Sequence, residues 1–320
     1  MERLSGKKTI LVTGGLGFIG SHFIEKCLGL GHKVINIDKM TYASNTNIKF
    51  EGDYSFLKKD ICNLEELPHC DFVVNFAAES HVDNSISESI NFINSNIKGV
   101  YNILEMIKNQ SIKSAINAQN YKMPIFVQIS PDEVFGDIEE GFFKEDDRHM
   151  SSNPYSATKS AAEQLVFAWS RTYNIPFLMT RTTNNYGMRQ YPEKLIPCVI
   201  TKILNDEKVP IHGDGSYVRN WIHVEDNVNA IFNIINSGKI NEVYHIASDE
   251  EYSVNEIVTM ICKKMNKDFK EVADYSTNRS GADLRYALDY NKLKKLGWQQ
   301  EKKLKESLGE IIDYYRSKTK

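Results

Sequence analysis

Cysteine is scarce in this chain: Cys27, Cys62, Cys70, Cys198 and Cys262 are scattered through 320 residues. Their number is odd and no Cys-x-x-Cys pair occurs, so neither a disulfide framework nor a zinc site is offered. Reduced, buried thiols in a cytoplasmic protein are the expectation. The histidines add no metal-ligand spacing. No apolar run reaches the roughly 18 residues that span a bilayer. The opening "MERLSGKKTILVTGG" passes from charged residues straight into a short strand pattern. A signal peptide would need a longer apolar stretch and a small-residue cleavage site. An excess of one charge is also missing. The net charge of −3 carries no basic footprint of a nucleic-acid binder. Repeats and low-complexity segments are absent. What is present is a globular composition, 41% hydrophobic and 25% charged, in a chain long enough for more than one lobe.

Short apolar runs alternate with helical patterns through the first half. Thr9–Thr13, Lys33–Asp38, Phe72–Ala77, Ile125–Ile129 and Phe177–Thr182 read as buried strands. Ile90–Ile107 and Tyr155–Tyr173 carry helical periodicity, and the polar stretch Ser111–Met123 reads as a surface loop. Strands buried on both faces and separated by helices predict an α/β, doubly wound parallel sheet of Rossmann type. This domain is expected to cover residues 1–183, with a return at 224–247 through a helix and a strand. Turn-rich segments after Asn184 place a smaller C-terminal α/β substrate lobe at 184–223 and 248–320. Ser253 and Glu256 form a capping box for one of its helices, and an amphipathic helix near Leu304–Tyr315 ends it.

"TGGLGFIG" stands where the first strand meets the first helix. Gly15, Gly17 and Gly20 satisfy G-x-G-x-x-G, and Gly14, Gly17 and Gly20 satisfy G-x-x-G-x-x-G. Without Cβ atoms the backbone can turn tightly and approach a pyrophosphate, which the helix N-terminus then binds. Asp38 closes the second strand, where a carboxylate accepts hydrogen bonds from adenosine ribose hydroxyls and repels a 2′-phosphate. NAD is therefore expected rather than NADP.

"NPYSATKSAAE" carries Tyr155 and Lys159 at i, i+4, on one face of a helix. An ammonium near a phenol favours the phenolate and lowers the tyrosine pKa. Downstream of a dinucleotide fold, Tyr155 can take a proton from a substrate hydroxyl while hydride leaves for nicotinamide. "FVQISPDEVFGD" sets Asp132 and Glu133 side by side just past a buried strand. Those letters alone leave two readings, a hydrated acidic turn or an acid–base pair.

Together the segments "VTGGLGFIGS", "DKMTYASN", "FAAESHVDNSI", "SPDEVFGD", "NPYSATKSAAE", "NNYGMRQYPEKLIP" and "PIHGDGSYVRNW" resemble the extended short-chain dehydrogenases/reductases. Within that group they are similar to nucleotide-sugar 4,6-dehydratases acting on dTDP-glucose or UDP-glucose, with a weaker match at "NRSGADLRYALD". The resemblance implies the following chemistry. Tyr155 and NAD oxidise C4 of the glucose, which acidifies C5–H. Glu133 takes the C5 proton, Asp132 protonates the departing C6 hydroxyl, and hydride returns to C6. Asp132 should then have the raised pKa and Glu133 should be ionised.

The resemblance also assigns the remaining site. Gly14, Gly17, Phe18, Ile19, Gly20, Asp38, Lys39, Thr41, Asp60, Ile61, Ala77, Ala78 and Asn185 would line the NAD site with Tyr155 and Lys159. Ser80 and Asn184 would contact the sugar or its phosphates. Lys194, Leu195, Pro210, Ile211, His212, Arg219 and Arg279 would surround the nucleoside diphosphate, with Arg219 gripping phosphate oxygens in a bidentate way. His81 has no evident catalytic task and reads as structural. A homodimer through the helices near Ile90–Ile107 and Tyr155–Tyr173 is implied.

One position departs from the family. The dTDP-glucose enzymes usually read Ser-Thr-Asp-Glu, and this chain reads Ser130-Pro131-Asp132-Glu133. The missing threonine hydroxyl would cost on the order of 1 kcal/mol, so weaker activity is expected, with Ser130, a water or Tyr155 compensating. "PIHGDGS", and Ala282 and Leu284 where relatives carry His and Arg, lean the reading toward UDP-glucose. A 4-epimerase or UDP-glucuronate decarboxylase would share Tyr155, Lys159 and the glycines, and a silent NAD-binding module would need none of the acids.

Overall fold

The computed structural model describes residues 2–118, 121–277 and 283–318. The first half lays down β1 (Thr9–Thr13), α1 (Phe18–Gly29), β2 (Lys33–Asp38), β3 (Tyr54–Lys58) and β4 (Phe72–Asn75). There follow α2 (Val82–Ser87), α3 (Ser89–Phe92), a π-helical turn (Ile93–Lys98), α4 (Gly99–Ile116), β5 (Ile125–Pro131), α5 (Pro154–Tyr173) and β6 (Phe177–Thr182). The second half adds β7 (Asn184–Tyr186), α6 (Leu195–Leu204), β8 (Val209–His212), β9 (Val218–His223), α7 (Val224–Ser237) and β10 (Glu242–Ile246). It closes with β11 (Glu251–Ser253), α8 (Val254–Met265), α9 (Phe269–Val272), β12 (Ala273–Thr277), α10 (Asn291–Lys294) and α11 (Leu304–Lys318).

Seven strands form one sheet in the order β10-β6-β5-β4-β1-β2-β3, and each neighbouring pair is parallel. The alternating sequence pattern has this outcome because each helix returns the chain to the same sheet edge direction. One face buries Phe23, Ile24, Val228 and Ile231 of α1 and α7. The other buries Ile103, Ile107, Ala162 and Val166 of α4 and α5. A separate core joins α6, α8 and α11 through Ile200, Ile261 and Leu308. Strand order reverses between β1 and β4, so a crevice opens at the carboxyl ends of these strands.

Three local expectations differ from the structure, and one strand, β3, was not foreseen. Strand β4 ends at Asn75 rather than Ala77, because Phe76 and Ala77 turn out of the sheet to pass over the glycine turn at Gly14. The helical region expected at Ile90–Ile107 begins at Val82 and is divided into α2, α3, the π turn and α4. Helix α4 runs on to Ile116, into the stretch read as a loop. No proline or glycine interrupts Ser111–Ile116, so backbone hydrogen bonding continues there although Ile112 and Ile116 face outward. Strand β3 pairs with β2 at the sheet edge. Its side chains are mostly exposed, which leaves no apolar run to announce it.

The start of α5 is fixed locally. Asn153 Oδ1 accepts a hydrogen bond from Ser156 N at 2.9 Å, and Asn153 N donates to Ser156 Oγ at 3.3 Å. Pro154 follows at the first helical position, where its missing N–H costs nothing. Such a box contributes about 1 kcal/mol, and it places Tyr155 in the first turn of the helix.

Candidate active site

A cleft of about 750 Å³ follows the carboxyl ends of the large sheet. At one end it is floored by the glycine turn. Gly14 has φ of +69°, and a Cβ there would lie 2.6 Å from Ala77 N. A Cβ on Gly20 would lie 2.5 Å from Gly14 O. Gly17 caps α1 without any side-chain hydrogen bond, so the first-turn N–H groups face the cleft. These features fit a pyrophosphate on the helix N-terminus.

Phe18, Ile19, Asp38, Lys39 and Thr41 line the same end. Asp38 is nearly buried, and its carboxylate accepts from Leu16 N at 3.0 Å and Met40 N at 2.8 Å. Ser44 Oγ donates to it as well at 3.4 Å, and with four lone-pair sites capacity is left for a ribose. Asp60 accepts from Cys62 N at 2.9 Å and, with Ile61, Ala77 and Ala78, forms the next wall. Asn185 donates to Thr182 Oγ1 and Thr183 O, and its buried Oδ1 has no partner among the described residues. Orphaned buried acceptors of this kind are expected where a bound molecule completes the hydrogen bonding. The residues present therefore fit NAD.

The centre of the cleft holds Ser130, Asp132, Glu133, Tyr155 and Lys159 together. Strand β5 ends at Pro131, and the next three residues form a 3₁₀ turn that carries both acids. Asp132 is only 3% exposed, and its Oδ2 has no partner. Burial first, then the Glu133 carboxyl, pushes Asp132 well above the usual carboxylate range, while Arg219 pulls the other way. The direction is the one expected for Asp132 from the sequence. Ser130 Oγ is likewise buried without a partner beside it.

Tyr155 differs from expectation. Its phenol is held well above its ordinary pKa, by burial first and then by Glu133 and Asp132. The expected lowering by Lys159 is not among the causes; its ammonium donates to the Ile129 carbonyl at 2.7 Å. Burial lowers Lys159 to about 8, against the raising charges of Glu163 and Glu133.

Ser80, Asn184, Lys194, Leu195, Pro210, His212 and Arg219 line the far end. Lys194 Nζ donates to Ser80 O at 2.8 Å, bridging the two sides of the cleft. The Arg219 guanidinium donates to Val218 O at 2.7 Å and Asp283 O at 2.8 Å, and it stacks 4.4 Å from the Tyr286 ring. Ile211 is not a lining residue. Strand alternation turns its fully buried side chain into the α6–α8–α11 core. Arg279 lies outside the described residues. His81 lines the cleft, with Nε2 3.8 Å from Asp83.

Sequence reasoning missed several wall residues. Ser95 comes from the π turn and accepts from Lys39 Nζ at 2.9 Å. Thr183, Tyr217 and Trp221 also line the cleft, and Tyr286 stands behind Arg219. Tyr217, Trp221 and Tyr286 stand in segments already matched to the family but without an assigned contact, whereas Ser95 and Thr183 are brought in by the tertiary arrangement alone. Among the described residues no three His, Cys, Asp or Glu side chains converge as a metal site requires. No helix among them is long and apolar enough to cross a membrane.

Residues 11–311 match the family described as GDP-mannose 4,6 dehydratase. A low-salt glycan biosynthesis protein of Haloferax volcanii is 41% identical, over 96% of this chain and 98% of its own. The dTDP-glucose 4,6-dehydratase of Haemophilus influenzae is 38% identical, over 96% and 97%. The crystal structure of DesIV, a dTDP-glucose 4,6-dehydratase from Streptomyces venezuelae with NAD bound, superposes with a TM-score of 0.90 at 32% identity, covering 97% of each chain. By near full-length likeness in both sequence and structure, the chain belongs to the GDP-mannose 4,6 dehydratase family of nucleotide-sugar 4,6-dehydratases.

Proposed function

We propose that this protein is an NAD-dependent hydro-lyase that converts a nucleoside-diphosphate glucose to its 4-keto-6-deoxy sugar. The observation that carries this reading is the convergence of Asp132, Glu133, Tyr155 and Lys159 in one cleft with the glycine turn. An epimerase has no use for the acid pair, and a decarboxylase would place a base near a C6 carboxylate. The glycine turn, Asp38 and Asp60 would hold NAD, which would supply the hydride acceptor for C4 and the hydride donor for C6.

The chain's own residues move the protons. Tyr155 accepts the proton of the C4 hydroxyl as a phenolate, the form that burial and the two acids disfavour, and Lys159, one turn along α5, is the cation placed to oppose them. The resulting ketone stabilises a C5 carbanion as an enolate, and Glu133 removes that proton. Asp132, protonated by virtue of burial, donates to the leaving C6 hydroxyl. Ser130 Oγ, buried and unpartnered, is the hydroxyl available to the C4 oxygen where Pro131 replaces the usual threonine.

Residues 1–183 with 224–247 form the cofactor half in this reading, and 184–223 with 248–320 the nucleotide-sugar half. Arg219 and Lys194 line that half of the cleft and are the cations proposed to meet the diphosphate. The sequence leaned toward UDP-glucose, but the dehydratase relatives above are dTDP-glucose enzymes by name, and this supports dTDP-glucose as the first choice. Matched turnover of dTDP-glucose and UDP-glucose, read by the ultraviolet band of the 4-keto product in alkali, should favour dTDP-glucose. Product from neither sugar would defeat the proposal.

Two copies are proposed to pair across the α3–α5 face, where Ile90, Ile93 and Tyr101 are exposed. Exposed apolar groups clustered in this way mark an interface. Light scattering should give twice the chain mass, and a single-chain mass at working concentration would contradict the pairing.

A further inference from the structure

Beneath the reactive centre lies a buried ion pair with no task in the steps above. Glu163 is fully buried on α5, one helical turn beyond Lys159. Arg181 of β6, 2% exposed, grips it with Nε at 3.2 and 3.1 Å from the two carboxylate oxygens and Nη2 at 2.7 Å. Arg181 Nη1 donates to Glu145 O at 2.8 Å, and its guanidinium lies 4.7 Å from the Phe135 ring.

The same pair is locked to the catalytic strand. In the sheet register Arg181 stands opposite Ser130, and Lys159 is hydrogen-bonded to Ile129, the residue before it. Helix α5 is therefore tied to the ends of β5 and β6 at two points one turn apart. Buried ion pairs seldom stabilise more than apolar residues of the same volume would. A pair retained directly under Lys159 calls for another purpose.

We propose that Glu163, held by Arg181, is a positioning residue that sets α5 at a fixed height over β5 and β6 and supplies the standing negative charge that keeps Lys159 cationic. The inference rests on the dehydratase reading of the site. The surrounding groups leave Glu163 as the anion on this side. His149 approaches it with Nε2 at 3.6 Å, and His245 Nε2 lies 3.5 Å from Arg181. Burial lowers both imidazoles, His245 to about 3, so both stay neutral near pH 7. The Glu145 carboxyl, on the loop beside Arg181, is raised by burial. On the cleft side Lys159 faces Glu133, with Tyr155 one turn before it on the same helix.

The sign follows directly. Removing the Glu163 charge leaves Arg181 uncompensated and favours neutral Lys159, so activity should fail at lower pH. In the holoenzyme, Glu163→Gln should move the alkaline limb of kcat down by about one pH unit, with KM for the nucleotide sugar little changed. Glu163→Asp, which keeps the charge, should leave that limb in place. If the single variant does not fold, Glu163→Gln with Arg181→Met removes the unpaired charge, and its limb should still lie below the wild type's. An alkaline limb identical to wild type in the variant that folds would overturn the inference. A wild type that makes no 4-keto product would instead overturn the dehydratase reading itself.

Discussion

Glu133→Gln should stop the reaction after C4 oxidation, lowering formation of the 4-keto-6-deoxy sugar about 10³-fold while reduced nicotinamide accumulates on the enzyme. The substitution is nearly isosteric and sits at a partly buried turn, so the fold should survive it. An amide cannot accept the C5 proton, so the enolate does not form. A second consequence has the same direction. The Glu133 charge is one of the groups that holds Asp132 above the usual carboxylate range. Without it that part of the upward push on the Asp132 carboxyl is removed, while burial, the larger cause, remains. Tyr155 gives the contrast. Tyr155→Phe lacks the group that accepts the C4 hydroxyl proton, so neither reduced nicotinamide nor product should form. Stopped-flow absorbance at the nicotinamide band and product assay in alkali separate the two variants. Undiminished turnover in Glu133→Gln would remove Glu133 from the role of base.

Parts of this site were legible in the sequence because they depend on local rules. The glycine turn needs a backbone without Cβ atoms, and the collision distances at Gly14 and Gly20 are the same requirement in three dimensions. The raised carboxyl of Asp132 was expected through the family resemblance rather than through its neighbours in sequence, and burial is its largest cause. Other parts depend on what folding brings close. Tyr155 and Lys159 share a helix face, but the sequence cannot reveal that the Ile129 carbonyl claims the ammonium or that two acids face the phenol. The position of Ile211 followed from strand alternation in β8, whose register against β12 is a long-range fact. Ser95 enters the cleft only because a π turn interrupts the helix leading into α4. Edge strand β3 shows no apolar alternation, since the sheet ends there.

Deuterium at C4 of the glucose provides the second large and direct expectation. Asp132, Glu133, Tyr155 and the dinucleotide crevice are parts of one cleft, so a single bound hexose must meet all of them in turn. The isotope removed from C4 should then be redelivered within the same cleft, while the C5 position exchanges with solvent through Glu133. Epimerisation would return the label to C4 and release no water. A silent cofactor-binding module would leave the substrate untouched. Mass spectrometry and NMR of the product from dTDP-glucose labelled with deuterium at C4 decide among these. The account predicts a 4-keto-6-deoxy sugar with the label at C6; label retained at C4, or a product that has lost no water, would contradict it.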